Sequence, residues 1–159
     1  MRAIQIILAC LGRICIGTLF IVDGINHLFD WNGAVLTLQN GLCQWAERAS
    51  SFPQMTYLAE ALLPFSSSIV TGSLVLLLLG GLLVFFGVKP RFGAFLLMLF
   101  LIPVTLIFHS FWLVGPQEKP FETMIFMKNL AILGGLFMVL AFGNGSSGKK
   151  TTPKQDYEK

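Results

Sequence analysis

Residues 61–117 read ALLPFSSSIVTGSLVLLLLGGLLVFFGVKPRFGAFLLMLFLIPVTLIFHSFWLVGPQ, and this stretch decides the fold. Its only Lys or Arg residues are Lys89 and Arg91, and it contains no carboxylate. On either side of that pair, Ala61 to Val88 and Phe92 to Gln117 carry no charge if His109 is neutral. About 20 apolar residues cross a bilayer as a helix, so both runs are long enough, and Lys89-Pro90-Arg91 reads as the tight turn between them.

Two less clean runs flank this core. Ala3 to Phe29 is interrupted by Arg13, Asp23 and His27, and Phe121 to Phe142 carries Glu122 and Lys128. The expected spans are about 3–29, 65–88, 92–113 and 121–142. Short connections make sequential helices antiparallel neighbours. The expected fold is therefore all-α: an integral membrane four-helix bundle, up-down-up-down, with a longer first outer loop. Residues 1–142 form the transmembrane domain and 143–159, rich in Gly, Ser, Thr and Lys, a disordered tail along anionic headgroups. The first run reads as a span rather than a cleaved leader, because Arg13 follows where a cleavage site would be needed.

Composition agrees. The 159 residues are 55% hydrophobic and 12% charged, far from the quarter or so charged in soluble domains. Mean hydropathy is +0.75. Seven basic residues (Arg2, Lys89, Arg91, Lys149, Lys150, Lys154, Lys159) fall on one side of the expected topology, against Arg48 and Lys119 on the other. By the positive-inside rule both termini are expected in the cytoplasm, with Trp31, Trp45, Trp112 and Tyr57 as an aromatic belt at the opposite face. The net charge of +3 then reflects topology rather than nucleic-acid binding.

The first outer loop, Asp30 to Leu63, is long for a connection. Val35, Leu38, Leu42, Trp45 and Ala49 recur at three- and four-residue spacing, which suits a short amphipathic helix with Gln39, Gln44, Glu47 and Arg48 facing water. An ordinary covering loop fits as well. Cys10, Cys15 and Cys43 form no metal or haem pattern, and packing is the expected role of the first two.

The candidate site follows from spacing and depth. Arg13, Gly17, Phe20, Gly24 and His27 fall on one helical stripe. Its glycines let another helix approach, so the stripe should face the bundle, and Gly134-Gly135 offer similar packing in the last span. At ~1.5 Å per residue, Asp23 lies roughly 30 Å along the first helix, His109 roughly 25 Å along the third, and Lys128 roughly 10 Å into the fourth from its outer end. All three then occupy the outer half of the membrane. Asp23, His27, His109, Lys128 and Asn129 could form one polar ligand site, roofed by Trp112, with an Asp23–Lys128 pair offsetting burial. Against this, Lys128 could snorkel and His27 could sit among headgroups. Arg13, expected near mid-membrane, could bind backbone carbonyls, snorkel inward or hold an anion.

Several chemistries can be weighed. No zinc, phosphate-loop, dinucleotide or Ser-His-Asp signature occurs, and no metal site is expected. Nothing places a base beside Ser110, and no catalytic residue can be named. His27 and His109 lack the supporting spacing of a haem site. A quinone headgroup needs apolar walls and a few hydrogen-bonding groups, which His109, Lys128, Asn129 and Trp112 could supply, although other small amphiphiles would fit too.

The chain resembles the DoxX family of small four-helix membrane proteins. The resemblance rests on Arg13, Gly17, Phe20 and Gly24, on His109-Ser110-Phe111-Trp112, and on Phe126-Met127-Lys128-Asn129-Leu130-Ala131 leading into Gly134-Gly135. It spans about residues 8–142 in layout. It implies a bundle in the bacterial inner membrane, often linked to respiratory or quinone-dependent redox complexes; most members have no established activity, and the expectation leans toward no independent catalysis. His27 stands where the pattern leads one to expect lysine, and Ser110 where an acid or amide is common. Three readings follow: an auxiliary redox component contacting quinone or a membrane oxidoreductase; a binding or transport protein for a small amphiphile or lipid, as a homo-oligomer in one version; and an assembly scaffold.

Overall fold

A computed structural model describes residues 2–143, and within them the chain is all-helical. Six α-helices follow in order: α1 (Arg2–Phe29), α2 (Trp31–Arg48), α3 (Pro53–Leu62), α4 (Ser66–Phe86), α5 (Pro90–Phe108) and α6 (Lys119–Phe142). A 3-10 turn, Leu63–Phe65, joins α3 to α4. Four segments are long and apolar enough to cross a membrane: Ala3–Phe29, Pro53–Phe86, Pro90–Phe108 and Lys119–Phe142. The expected tail at 143–159 lies, apart from Gly143, outside the described residues.

Local chemistry sets the boundaries. Asp30 caps α2, its carboxylate accepting from the Gly33 amide at 3.1 Å. Gly87 ends α4 in the left-handed conformation (φ 70°), as helix-terminating glycines do. Pro53 and Pro90 open α3 and α5, where the missing N–H costs nothing. α5 stops at Phe108, five residues before the expected limit. His109 caps it and 110–118 is a turn-rich link, so His109 marks a helix end rather than a position inside one.

The four long helices alternate in direction. α4 packs against both α1 and α5, and α6 against α5. Phe20, Leu77, Val84, Ala94, Leu97, Met98, Leu101, Leu136 and Val139 form the buried core. Glycines permit the closest crossings. A Cβ on Gly17 would lie 2.7 Å from that of Phe85, and one on Gly93 would lie 2.9 Å from the Gly80 carbonyl. Gly81 meets α1 at the Gly17 carbonyl and Ile21, so Gly80-Gly81 seats α4 between two neighbours. Gly24 packs on Leu78 and Gly135 on Ile16. Gly134, expected to pack, meets nothing within 4 Å among the described residues, because its helix turns it outward.

The bundle has a terminal end, holding residues 13, 87–91 and 143, and a loop end covered by α2 and α3. α2 is a full helix lying across the loop end. Its Leu42 and Trp45 are buried, as is Ala49 at its cap, and the Phe108 ring sits where a side chain at position 41 would be. Arg48 pairs with Glu118 at 3.1 Å, tying the end of α2 to the α5–α6 link. Burial of Trp45 removes it from the expected aromatic belt; Tyr57 and Trp112 are exposed.

α1 is longer than the bundle it joins. Gly17 is level with Phe85 near the end of α4, so residues 3–12 project past it by roughly 15 Å at 1.5 Å per residue. Ile4, Ile6, Ile7, Leu8 and Leu11 are exposed there. Cys10, Cys15 and Cys43 are also exposed, so the packing expected of the first two is not made among the described residues.

Candidate ligand cavity

A cavity of about 860 Å³ lies between the four long helices, under α2. Leu19, Phe20, Val70, Leu76, Phe100, Leu101, Val104 and Ile132 give it apolar walls, and Ala34, Thr37 and Leu38 of α2 cover it. Its polar groups are Asp23, Asn26 and His27 from α1, Ser73 from α4, His109 from α5, and Lys128 and Asn129 from α6. Five of the residues expected to meet, Asp23, His27, His109, Lys128 and Asn129, therefore line one space.

The helices explain this convergence. Gly24 packs at the level of Leu77 and Leu78, halfway along α4, which places Asp23 near mid-bundle and His27 one turn closer to the loop end. Counting from residue 3 sets Asp23 too far outward, because the first ten residues of α1 lie beyond the bundle. α5 carries Pro103 on the cavity wall, where the missing N–H removes one helical hydrogen bond.

The hydrogen bonds differ from the expected ones. The His27 Nδ1–H donates to the Asp23 backbone carbonyl at 2.8 Å, with the Asp23 carboxylate 3.6 Å away. His109 Nδ1 lies 3.0 Å from Oε2 of Glu122, whose side chain is only 13% exposed. Asn129 Nδ2 donates to Thr105 Oγ1 at 3.0 Å in a buried contact. The Asp23–Lys128 pair does not form: Asp23 faces His27, and Lys128 is exposed with no carboxylate within 4 Å among the described residues.

Trp112 is not the roof. It packs edge-on against Phe111 and Phe126, with ring centroids 5.1 and 5.8 Å apart, outside the cavity. The turn after Phe108 swings it away, and α2 takes its place. Arg13 is not in the cavity either. It donates from Nη1 to the Gly143 carbonyl at 3.0 Å, the carbonyl-binding role among those open to it, at the terminal end rather than mid-membrane. Arg91 does the same to the Ala141 carbonyl at 2.9 Å, so two arginines hold the end of α6. Ser110 is fully buried and its hydroxyl has no partner among the described residues.

Glu122 and Thr105 were not singled out by spacing. Glu122 stands in the first turn of α6, a favourable place for an acid near the positive end of the dipole. A clue exists nonetheless: thirteen residues separate it from His109 across a link of nine, which brings two antiparallel helix ends together.

These features define a multi-pass membrane protein, a bundle of four apolar helices in contact with lipid and enclosing an amphipathic cavity. The chain belongs to the DoxX family, whose model matches residues 8–110. The match runs from α1 through the end of α5, so Phe126–Ala131 and Gly134-Gly135 in α6 lie beyond it. No solved structure matches the chain.

Proposed function

We propose that this DoxX protein is an auxiliary component of a quinone-linked redox system in the bacterial inner membrane, and that the cavity holds a quinone-type headgroup. One observation carries the reading: His27, His109, Lys128 and Asn129 meet apolar walls in a single cavity of about 860 Å³ among membrane-spanning helices. Ligand sites of roughly 300–1,000 Å³ with apolar walls and a few convergent polar groups suit such molecules. The isoprenoid tail would lie along the apolar walls or in lipid, and Lys128 Nζ would donate to a ring oxygen.

Charge supports an orientation with both termini cytoplasmic. Arg13, Lys89 and Arg91 cluster at the terminal end, followed in sequence by the lysines of residues 149–159, against Arg48, Lys119 and Lys128 in the other half. The cavity then opens nearer the outer leaflet. Its apolar walls and few convergent polar groups favour a binding role beside a partner oxidoreductase.

Titration of a decyl-tailed benzoquinone, in both redox forms, into protein held in lipid nanodiscs tests the reading. At least one form should bind, about tenfold or more weakly in Lys128→Ala and in His109→Ala. Binding of neither form, or binding unchanged in both variants, would overturn it. Copurification of a lipid in the cavity, displaced by no quinone, would point instead to a lipid carrier.

A further inference from the structure

Both cavity histidines have the same nitrogen committed. A carbonyl oxygen can only accept, so the hydrogen bond to the Asp23 carbonyl places the proton of His27 on Nδ1. The Glu122 carboxylate accepts from His109 in the same way, which places a proton of His109 on Nδ1. In each neutral ring Nε2 is then a lone-pair acceptor, and neither Nε2 has a partner among the described residues. The two rings come from different helices, α1 and α5, and line the same cavity.

Resting on the quinone reading above, we propose that the cavity selects the reduced, hydroxyl-bearing form: a quinol rather than a quinone. A quinol hydroxyl can accept from Lys128 and donate to a histidine Nε2 at once. A quinone carbonyl has no proton to give, so its lone pairs face those of Nε2 and the acceptor stays unpaired among apolar walls. A site built to hydrogen-bond a hydroxyl discriminates against the analogue that lacks it, because a polar group of the site is then left unmatched. The Glu122 carboxylate fixes the tautomer of His109, and the Asp23 carbonyl that of His27; neither residue needs to touch the ligand.

The test compares the two redox forms of one decyl-tailed benzoquinone, under anaerobic conditions, against nanodiscs with and without the wild-type protein. The quinol should bind about tenfold or more tightly than the quinone, the loss of roughly one hydrogen bond. In Glu122→Leu the His109 tautomer is released and the preference should fall severalfold. Equal binding, or tighter quinone binding, would overturn the selection while leaving the quinone reading intact. Binding of neither form would overturn both. The wild-type comparison needs no variant, so a misfolded Glu122→Leu protein would not remove the test.

Discussion

Nδ1 of His109, at the last cap of α5, lies 3.0 Å from Oε2 of Glu122 in the first turn of α6. The contact bridges α5 and α6 across a nine-residue link that carries no helix. It orients an imidazole toward the cavity and fastens two helix ends together. Removing Glu122 leaves the His109 Nδ1–H without its partner in a partly buried setting. Glu122→Ala should cost about 1–3 kcal/mol in denaturant unfolding of the detergent-held protein. The double variant with His109→Ala should cost less than the sum of the singles; strict additivity would mean the two do not interact.

Lys128 offers the contrast. It is exposed and lacks an ion-pair partner among the described residues, so Lys128→Met should leave unfolding within about 0.5 kcal/mol of wild type. The same variant should lose quinone affinity. A large stability loss would show that Lys128 holds the bundle rather than a ligand.

Asn129 and Thr105 form the buried polar link between α5 and α6. Thr105→Val keeps the shape and leaves the Asn129 amide unmatched, at a cost of about 1–3 kcal/mol. Thr105→Val with Asn129→Leu removes both polar partners and should recover part of that loss. A double variant worse than Thr105→Val would show that Asn129 contributes through packing instead.

Glycines separate by the faces they present. Gly17→Ala places a methyl 2.7–2.9 Å from Cβ and backbone atoms of Phe85, so α1 must move away from α4, an overpacking cost of about 1–3 kcal/mol. Gly134→Ala meets nothing and should be neutral or stabilising by up to about 1 kcal/mol, from helix propensity. Thermal unfolding of the two variants side by side checks the contrast.

Arg13 and Arg91 hold carbonyls two residues apart at the end of α6. Arg13→Ala should speed amide exchange over residues 139–143 severalfold, without changing exchange at the loop end. Unaltered exchange would show that Arg13 does not secure the helix end.

The spans themselves were legible from composition, because hydrocarbon leaves a crossing segment little choice but an apolar helix. The charge-free runs and the Lys89-Pro90-Arg91 turn are local properties, and so is the amphipathic pattern of Val35 to Ala49. The meeting of Asp23, His27, His109, Lys128 and Asn129 was legible too, since alternating spans bring their depths together. Three placements were not: Arg13 at the bundle end, Trp112 outside the cavity and Gly134 facing outward. Each depends on where a helix stops or how it is rotated, and both are settled by contacts between segments far apart in the chain.

By itself, then, the sequence determined four crossings, their alternation and the set of polar residues that share a depth, all consequences of moving a backbone into lipid. Only the tertiary structure decided that α2 covers the cavity, that His109 pairs with Glu122 rather than standing alone, and that Asp23 turns to His27 instead of Lys128. The physical reason is that helix rotation and offset follow from side chains interlocking across glycine crossings such as Gly17–Phe85 and Gly80–Gly93, a relation no single segment contains.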